Sequence, residues 1–325
     1  MLNLAAIFTV EAIVRRLKEA EPLKTPVMDS VFTRRPQVPL PLVGADMMRA
    51  VARELPMVRR GAPSVPVVPE GGSIAFYEPL AVRPNYRVTG ADLNNLKTLG
   101  KDGQEAWAAE KTDLLRRACR RTAEAQAAIS LTGTLTWPVQ LEHGGFDTYT
   151  VVYGSPLTVV PGKLWSAADA AVKDVYVLLQ AMEEAVQEKG YGSTLEIWAG
   201  KAAYEALFVI AEASKTTAKI RVELTDQGIN IGGYLIKRRA EKYRDPSTGT
   251  AKYIQEEKSL RVIATDAGHA MPYCALDDLD ARLRPLPFFV KPIKLEDPSG
   301  WKLVAESKVL PIPNMDGVCA ATVVS

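Results

Sequence analysis

Apolar residues near the N-terminus recur every three or four positions, and this spacing predicts an amphipathic helix over residues 2–20. The same spacing returns in a proline-free run from Gly103 to Leu131, which predicts one long helix of roughly 40 Å. Asp102 and Glu105 have the spacing of a capping box at its start. The residues expected on the inner face are Trp107, Leu114, Ala118, Ala125 and Ile129, and those on the charged face are Lys111, Arg116, Arg117, Arg120, Arg121 and Glu124.

Two shorter helices and a series of strands are predicted further along the chain. Ser166 and Asp169 form a second capping-box pair that opens one helix, and a third helix covers 202–213 with Leu207 and Phe208 facing inward. The residues expected on one face of the second helix are Val172, Val175, Leu179, Met182 and Val186. The charged stretch 238–258 is typical of an exposed, mobile loop. Strands are expected over 133–153, 194–199, 219–224, 233–236, 259–264, 287–291, 303–310 and 318–324. The chain is therefore predicted to be an α+β protein.

Prolines are frequent between Pro22 and Pro84, where little helical pattern exists apart from a short candidate helix over 45–55. Each proline removes a backbone donor and biases its neighbour toward extended conformations. Val65–Val68 and Ile74–Tyr77 are short β-prone runs with a turn-forming segment between them, which predicts a hairpin. Because a compact domain rarely contains so much irregular chain, we expect this stretch to find its contacts on another molecule.

Composition and charge narrow the class of protein. Apolar residues make up 47% of the 325 residues, enough for a normal core, and 40 basic side chains nearly balance 38 acidic ones. This balance disfavours a dedicated nucleic-acid-binding protein. The three cysteines lie far apart, as expected for reduced thiols. A secretory signal is not expected, and no apolar run approaches the roughly 20 residues of a membrane span, so no membrane partner is expected.

The sequence contains no convincing catalytic or cofactor-binding motif. The two histidines, His143 and His269, have no cysteine at metal-site spacing, so neither is expected to be a metal ligand. Phosphate-binding and nucleophile-elbow glycine motifs are missing. The acidic residues Asp277, Asp278 and Asp280 suit a solvated turn better than a cation site. No catalytic residue, metal or cofactor is predicted, although dispersed carboxylate pairs leave an α+β enzyme open as an alternative.

Two regions carry a resemblance to a known family. The first runs from Gly71 through Phe76-Tyr77-Glu78-Pro79 and Val82-Arg83-Pro84 to Leu93-Asn94-Asn95-Leu96. The second contains Asp297-Pro298 and Trp301, then Ser307, Pro311 and Pro313, and then a final apolar strand over 318–324. In type and order these segments resemble the lambda-type major capsid proteins of tailed bacteriophages, in which an aromatic–Glu–Pro segment and a polar turn precede a long helix.

The resemblance implies the Hong-Kong-97-like capsid fold and a division of the chain into regions. Residues 1–60 would be an N-terminal arm and 61–100 an extended β-hairpin loop. Residues 101–160 would form the peripheral domain, with a spine helix over 103–131. Residues 161–285 would form the axial domain, and 286–325 would return through the peripheral domain to a last axial strand.

The resemblance also implies a function. The chain would be a major head protein that assembles with itself into the pentamers and hexamers of an icosahedral shell, in the host cytoplasm, around double-stranded phage DNA. A scaffolding protein, a portal and possibly a decoration protein would be its further partners. The expected contacts with a neighbouring subunit are Val67, Val68, Ile74, Phe76, Tyr77 and Trp107.

Contact with DNA is expected, without sequence preference, from the arm. Residues 1–60 contain ten basic and six acidic side chains, a net charge of +4. Phosphate contacts of this kind carry no sequence information. The candidates are Arg15, Arg16, Lys18, Arg34 and Arg35, and pairing of these cations with carboxylates of a neighbouring subunit is the competing interpretation. A cellular nanocompartment shell of the same fold is the other alternative for the whole protein.

Overall fold

A computed structural model of the chain describes residues 4–44, 76–214 and 220–325. The helices in these ranges are α1 (Leu4–Ile7), α2 (Val10–Glu19), α3 (Pro26–Ser30), α4 (Gly90–Thr98), α5 (Lys101–Ser130), α6 (Val172–Gln187) and α7 (Lys201–Glu212).

The strands are short and belong mostly to two sheets and a hairpin. They are β1 (Gln37–Val38), β2 (Val43–Gly44), β3 (Phe76–Tyr77), β4 (Asn85–Thr89), β5 (Thr134–Gln140), β6 (Phe146–Val152), β7 (Leu157–Thr158), β8 (Leu195–Ala199), β9 (Val222–Thr225), β10 (Gly228–Ile231), β11 (Tyr234–Arg238), β12 (Lys242–Arg244), β13 (Ala251–Tyr253), β14 (Ser259–Ala264), β15 (Tyr273–Cys274), β16 (Phe289–Leu295), β17 (Gly300–Glu306) and β18 (Val318–Thr322).

The larger sheet has seven strands in the order β7-β18-β14-β8-β11-β10-β9. Its central strand β14 is antiparallel to both neighbours, β18 and β8, and is buried throughout. Leu260 and Val262 face the core shared with α6 and α7, while Ile263 faces a second core on the opposite side of the sheet. A strand over 259–264 was predicted, and its burial on both faces is typical of a strand inside a covered sheet.

The smaller sheet, in the order β16-β17-β4, packs beside α5 and the N-terminal helices. Leu4 and Phe8 are buried there against Ala108, Leu115 and Leu303. The C-terminal half of α5 instead joins α3, the β5–β6 hairpin and the underside of the seven-stranded sheet. The long helix therefore connects two cores that have no strand in common.

The predicted helix over 2–20 is interrupted at Phe8 and Thr9. The Thr9 hydroxyl accepts a hydrogen bond from Ala12 N at 3.2 Å and caps α2. A threonine in this position competes with the helix for its own backbone donors, so the chain starts a new helix instead of continuing the first.

The long helix is confirmed to within two residues at each end, but its buried face is only partly the predicted one: Ala125 is buried, and Trp107 and Ile129 pack against the cores. Leu114 is 50% exposed, whereas Ala108, Thr112, Leu115 and Cys119 are buried. The Thr112 hydroxyl donates to Ala108 O at 2.7 Å, so its burial leaves no unpaired donor. The arm packs on this face of the helix. The periodicity of the helix alone does not predict that contact.

The starts of both long helices also differ from the predicted capping boxes. The residue before α5 is Gly100, and Asp102 lies inside the first turn. Residues 166–170 form turns, and α6 starts only at Val172, where the Asp174 carboxylate accepts from Ala171 N at 2.9 Å. The predicted inner face of α6 is confirmed, since Val172, Val175, Leu179, Met182 and Val186 are all buried.

Three further predictions were wrong in detail. Phe208 of α7 is 42% exposed, because only one side of this helix meets the sheet. The stretch 238–258 contains the β12–β13 hairpin, whose turn is held by the Asp245 carboxylate through Ser247 and Lys252. The polar turn expected at 93–96 is part of helix α4, which begins with a Thr89–Asp92 capping box.

The candidate helix over 45–55 and the hairpin over 65–77 lie, except for Phe76 and Tyr77, outside the described residues. Phe76 and Tyr77 form β3, which pairs with β2.

Candidate assembly interface

The strand pair β2–β3, which we call the loop root, flanks residues 45–75. β2 and β3 are antiparallel, with Val43 opposite Tyr77 and Gly44 opposite Phe76, so the ends of the 45–75 segment lie side by side. The Tyr77 hydroxyl donates to Val152 O at 3.2 Å, and the Tyr149 hydroxyl donates to Glu78 O at 2.7 Å. These bonds attach the loop root to the β5–β6 hairpin.

A third tyrosine fixes the root to the C-terminal part of the chain. The rings of Tyr77 and Tyr153 lie 6.2 Å apart, and the buried Tyr153 hydroxyl donates to Pro311 O at 2.6 Å. Burial raises the pKa of Tyr149 to about 12 and raises that of Tyr153 as well, so these two phenols act as neutral donors. The root is therefore attached to two other parts of the fold, the β5–β6 hairpin and the segment around Pro311.

The N-terminal arm is clamped to α5 by one carboxylate. The side chain of Arg16 is only 3% exposed, and its guanidinium donates to both oxygens of Glu105, at 2.9 and 2.6 Å. A further bond reaches Ile7 O at 2.8 Å, and the guanidinium also lies over the Phe8 ring. The hydrogen bond from Arg16 lowers the pKa of Glu105. A bidentate pair of this kind sets the position of α2 on the long helix.

A second carboxylate anchors the arm further along. Glu124, predicted on the charged face of α5, is buried, and its two oxygens accept from Val27 N at 2.7 Å and Met28 N at 2.9 Å. These are otherwise unpaired donors of the first turn of α3. Burial raises the pKa of Glu124. Spacing in the sequence gives no sign of this role, because the partners lie more than 90 positions apart.

Replacing Glu124 with glutamine is expected to lower the free energy of unfolding by about 2 kcal/mol, because an amide group would face a buried N–H donor. Urea unfolding of the unassembled subunit measures this. Glu110→Gln is the matched control on the same helix, since the Glu110 side chain is 68% exposed and its loss is expected to cost less than about 0.5 kcal/mol. Equal effects of the two substitutions would contradict the anchoring role.

The acidic turn near residue 280 is held by lysines. The Asp278 carboxylate accepts from Asp280 N at 2.8 Å and pairs with Lys291 at 2.7 Å, while Lys308 pairs with Asp277 at 2.8 Å. The turn is present as predicted, but Asp278 is buried instead of solvated. Within the described ranges, no group of three or more His, Cys, Asp or Glu side chains is placed to hold a metal ion.

The same turn presents apolar side chains to solvent. Leu279 is 83% and Leu283 55% exposed, and Leu283 and the preceding Arg282 have left-handed backbone conformations, with φ of 51° and 55°. Such conformations are strained for residues other than glycine and persist only where the surroundings impose them. A rigid loop that exposes two leucines is typical of a surface that contacts another molecule.

The comparison with protein families shows which kind of protein carries these surfaces. Residues 9–323 match the family model described as phage major capsid protein E. The chain belongs to this capsid protein family. No curated protein matches the sequence.

Solved structures share the fold of this capsid subunit. A structure described as the capsid protein of a prophage of E. coli CFT073 aligns over 99% of each chain, with 17% identity and a TM-score of 0.62. A phage-related protein from Bordetella bronchiseptica RB50 aligns over 96% of each chain, with 11% identity and a TM-score of 0.50. The Hong-Kong-97-like fold expected from the sequence is thereby confirmed.

Only some of the predicted contact residues of the subunit lie within the described structure. Val67, Val68 and Ile74 lie outside it, and only the backbone of Phe76 is described. Tyr77 is half-buried in the loop root. Trp107 is also half-buried and packs edge-to-face on Phe8, with ring centroids 6.4 Å apart, so at least one side of its ring serves the subunit's own arm.

The predicted DNA-facing cations of the capsid subunit fall into two groups. Arg15, Arg16 and Arg35 are engaged within the chain: the first two with Glu105, and Arg35 with Asp29 and with backbone carbonyls of α3 and Phe32. Lys18 and Arg34 are exposed. Three of the five cations therefore pair with carboxylates of their own chain, and not with those of a neighbouring subunit as the competing interpretation expected.

One buried histidine joins the last strand to the rest of the capsid subunit. The ring of His269 lies with Nε2 3.0 Å from Ala264 O and accepts from Asn314 N through Nδ1 at 3.1 Å. These two contacts require the neutral ring, protonated on Nε2 only. Burial lowers the pKa of His269 from 6.5 to about 4. Its ring also lies 6.0 Å from that of Phe32, next to the arm.

The subunit is therefore expected to lose stability in mild acid. Between pH 6.5 and about 4 the unfolded chain binds a proton at His269 that the folded chain does not. This contribution is complete above pH 6.5 and falls by about 3 kcal/mol as the pH drops through that window. Urea unfolding at several pH values tests this. His269→Gln cannot titrate, so its stability is expected to change less with pH; an unchanged slope would contradict the assignment.

Proposed function

We propose that this chain is the major head protein that builds the icosahedral shell of a phage, as pentamers and hexamers, around double-stranded DNA. Membership of the capsid protein family over residues 9–323 is the observation that carries the proposal. Assembly with identical copies is also what the subunit's surface favours. Head-to-tail contacts between identical copies close into rings when the rotation allows it.

The physical basis of assembly is apolar surface that a single subunit leaves exposed. Among the described residues, Val160 is 88% and Leu279 is 83% exposed. Covering such surface stabilises the assembly by roughly 25 cal/mol per Å² of apolar area, less the cost of ordering the arm and loop. Val67, Val68, Ile74, Phe76 and Tyr77 are proposed to add contacts at the extended loop, and Trp107 at the spine helix.

The regions of the proposed capsid subunit follow its two sheets. The three-stranded sheet with α5 is assigned to the peripheral domain, and the seven-stranded sheet with α6 and α7 to the axial domain. In this assignment β16 and β17 are the return through the peripheral domain, and β18 is the final axial strand. The arm covers 1–60 and the extended loop 61–100, with α4 at its base.

The further partners are proposed on chemical grounds. Lys18 and Arg34 are exposed and are assigned to DNA phosphates, with a contact that weakens as salt rises. A scaffolding protein, a portal and possibly a decoration protein complete the head, and assembly takes place in the host cytoplasm. The role is structural, not catalytic. The described part of the chain contains no helix long and apolar enough to cross a bilayer.

A cellular nanocompartment of the same fold is the second candidate, and membership of a phage capsid family disfavours it.

Electron microscopy and sedimentation velocity of the purified chain test the main proposal. Closed shells, tubes or rings are the expected result, and the same measurements are repeated after co-expression with a scaffolding protein. A chain that stays monomeric or dimeric both alone and with the scaffold would overturn the proposal. Enclosed protein in place of DNA, in particles from the native host, would favour the nanocompartment.

A further inference from the structure

A buried arginine lies on the central strand of the seven-stranded sheet without a hydrogen-bonding partner among the described residues. Arg261 of β14 is 5% exposed, and the alternation of the strand places it on the face of Ile263, away from α6 and α7. Its Nε and Nη1 groups are buried and donate to no described residue. A buried charge is costly unless an opposite charge and hydrogen bonds compensate it.

Two nearby carboxylates do not neutralise Arg261. Glu196 on the neighbouring strand β8 accepts from Lys237 Nζ at 2.6 and 2.9 Å and from the Trp198 indole N–H at 3.2 Å. Glu256 attracts Arg261 by its charge, but its side chain is exposed to water. Burial lowers the pKa of Arg261 to about 10, so the guanidinium stays positively charged at neutral pH. The described part of the chain thus leaves this cation without a bound counter-ion.

A second guanidinium lies on the same side of the sheet. Trp198 is directly opposite Arg261 in the ladder of β8 and β14, and the guanidinium of Arg239 lies over the Trp198 ring, 4.9 Å from its centroid. The side chain of Arg239 is 13% exposed, and its Nη1 group reaches the Glu241 carboxylate at 3.4 Å. Its Nε group is buried without a partner in the described chain. Two like charges beside one indole repel each other, which favours binding of an anion near both.

The same place contains a buried acceptor as well as donors. Gln255 is fully buried, and its amide lies 2.6 Å from Ser259 Oγ. Because the Ser259 hydroxyl donates to Glu256 O at 3.1 Å, its oxygen accepts from Gln255 Nε2, which fixes the orientation of the amide. Gln255 Oε1 is then buried without a donor among the described residues. Ser259 precedes Arg261 on the same face of β14, so this acceptor lies beside the guanidinium.

Small side chains leave a way from solvent to the guanidinium. On the other side of β14, Arg261 is opposite Ala320 of β18, which is only partly buried. Ala320 is in turn opposite Thr158 of β7, an exposed residue on the edge strand of the sheet. Residues directly opposite each other in a ladder share one face of the sheet. A small ligand can therefore approach Arg261 over Thr158 and Ala320.

We propose that Arg261, together with Arg239 and Gln255, binds one inorganic phosphate ion on this face of the sheet. Near neutral pH phosphate has charged oxygens that accept from guanidinium N–H groups, and a P–OH group that donates to the Gln255 amide oxygen. Sulfate and the phosphodiesters of DNA lack this O–H group, so both are expected to bind less tightly. The site is built within one subunit, so the inference goes beyond the proposed shell function and does not depend on it.

Thermal unfolding of the unassembled subunit in phosphate, sulfate or chloride, at equal ionic strength, tests the site. Relative to chloride, saturating phosphate is expected to raise the midpoint temperature by about 3 °C, and sulfate by less than half as much. In Arg261→Met the phosphate response is expected to disappear. In chloride this variant is expected to be at least as stable as the wild type, because it removes a buried charge. Arg244→Met, at an exposed position of β12, is the matched control and is expected to keep the response.

Titration calorimetry of the wild-type subunit with phosphate gives a second readout that needs no variant. Binding of one phosphate per chain is expected, and a subunit that binds none would overturn the proposal. A phosphate response that survives in Arg261→Met would overturn it as well, because the effect would then be the general action of this salt on stability. A response to sulfate as large as that to phosphate would refute the contact with Gln255 and with it the choice of ligand.

Discussion

Replacing Glu105 with glutamine is expected to release the N-terminal arm from α5 and to lower the free energy of unfolding by about 3 kcal/mol. The reason is the burial of Arg16, whose side chain is 3% exposed and loses its carboxylate partner. Breaking one side of a buried ion pair leaves a charge without compensation, which costs more than the pair contributes. Urea unfolding gives the loss, and hydrogen exchange of residues 4–19 shows whether the arm has detached.

Two variants separate this clamp from a general charge effect. Arg15 also reaches Glu105 but is 57% exposed, so Arg15→Gln is expected to cost less than about 1 kcal/mol. Arg16→Met combined with Glu105→Gln removes the buried charge and is expected to recover part of the loss. The clamp would be refuted if Arg15→Gln were as damaging as Glu105→Gln, or if the double variant recovered nothing.

Replacing both Phe76 and Tyr77 with serine is expected to leave the subunit folded and to reduce shell yield at least about tenfold. Tyr77 holds the loop root through its bond to Val152 O and its contact with the Tyr153 ring. Without these contacts the extended loop leaves the subunit in no fixed direction, so its contact with a neighbour costs more entropy. Electron microscopy and sedimentation velocity measure shells against free subunits.

Tyr77→Phe is the matched control. It keeps the ring and removes only the hydroxyl, at a cost of about 1 kcal/mol, so near-normal shells are expected. Circular dichroism of the double serine variant must show a folded subunit for the comparison to be valid. Normal shells from that folded variant would show that the loop root does not control assembly.

The elements with a strong local pattern were predictable. The long helix α5, the inner face of α6 and the central strand β14 depend on periodicities that neighbouring residues carry. The order of proline-rich stretch, long helix, α/β middle and β-rich end was also enough to suggest the family that the comparison then showed.

The orientation of those elements was not predictable in the same way. Periodicity selected Leu114 for the inner face of α5, but the structure buries Thr112 and Cys119 instead. The face of a helix that becomes buried depends on what packs against it, and here that is the N-terminal arm, about 90 residues away in the chain. The β12–β13 hairpin was missed because its charged strands have no apolar alternation.

Local sequence pattern thus determined which segments become helix or strand, the α+β class and the kinship with phage capsid proteins. Only the tertiary structure decided that Glu105 clamps Arg16, that Glu124 caps α3, and that three tyrosines hold the loop root. Each of these depends on two groups that are distant in sequence and adjacent in space. Their hydrogen bonds form only when folding brings the two groups together, so no single stretch of sequence contains the signal.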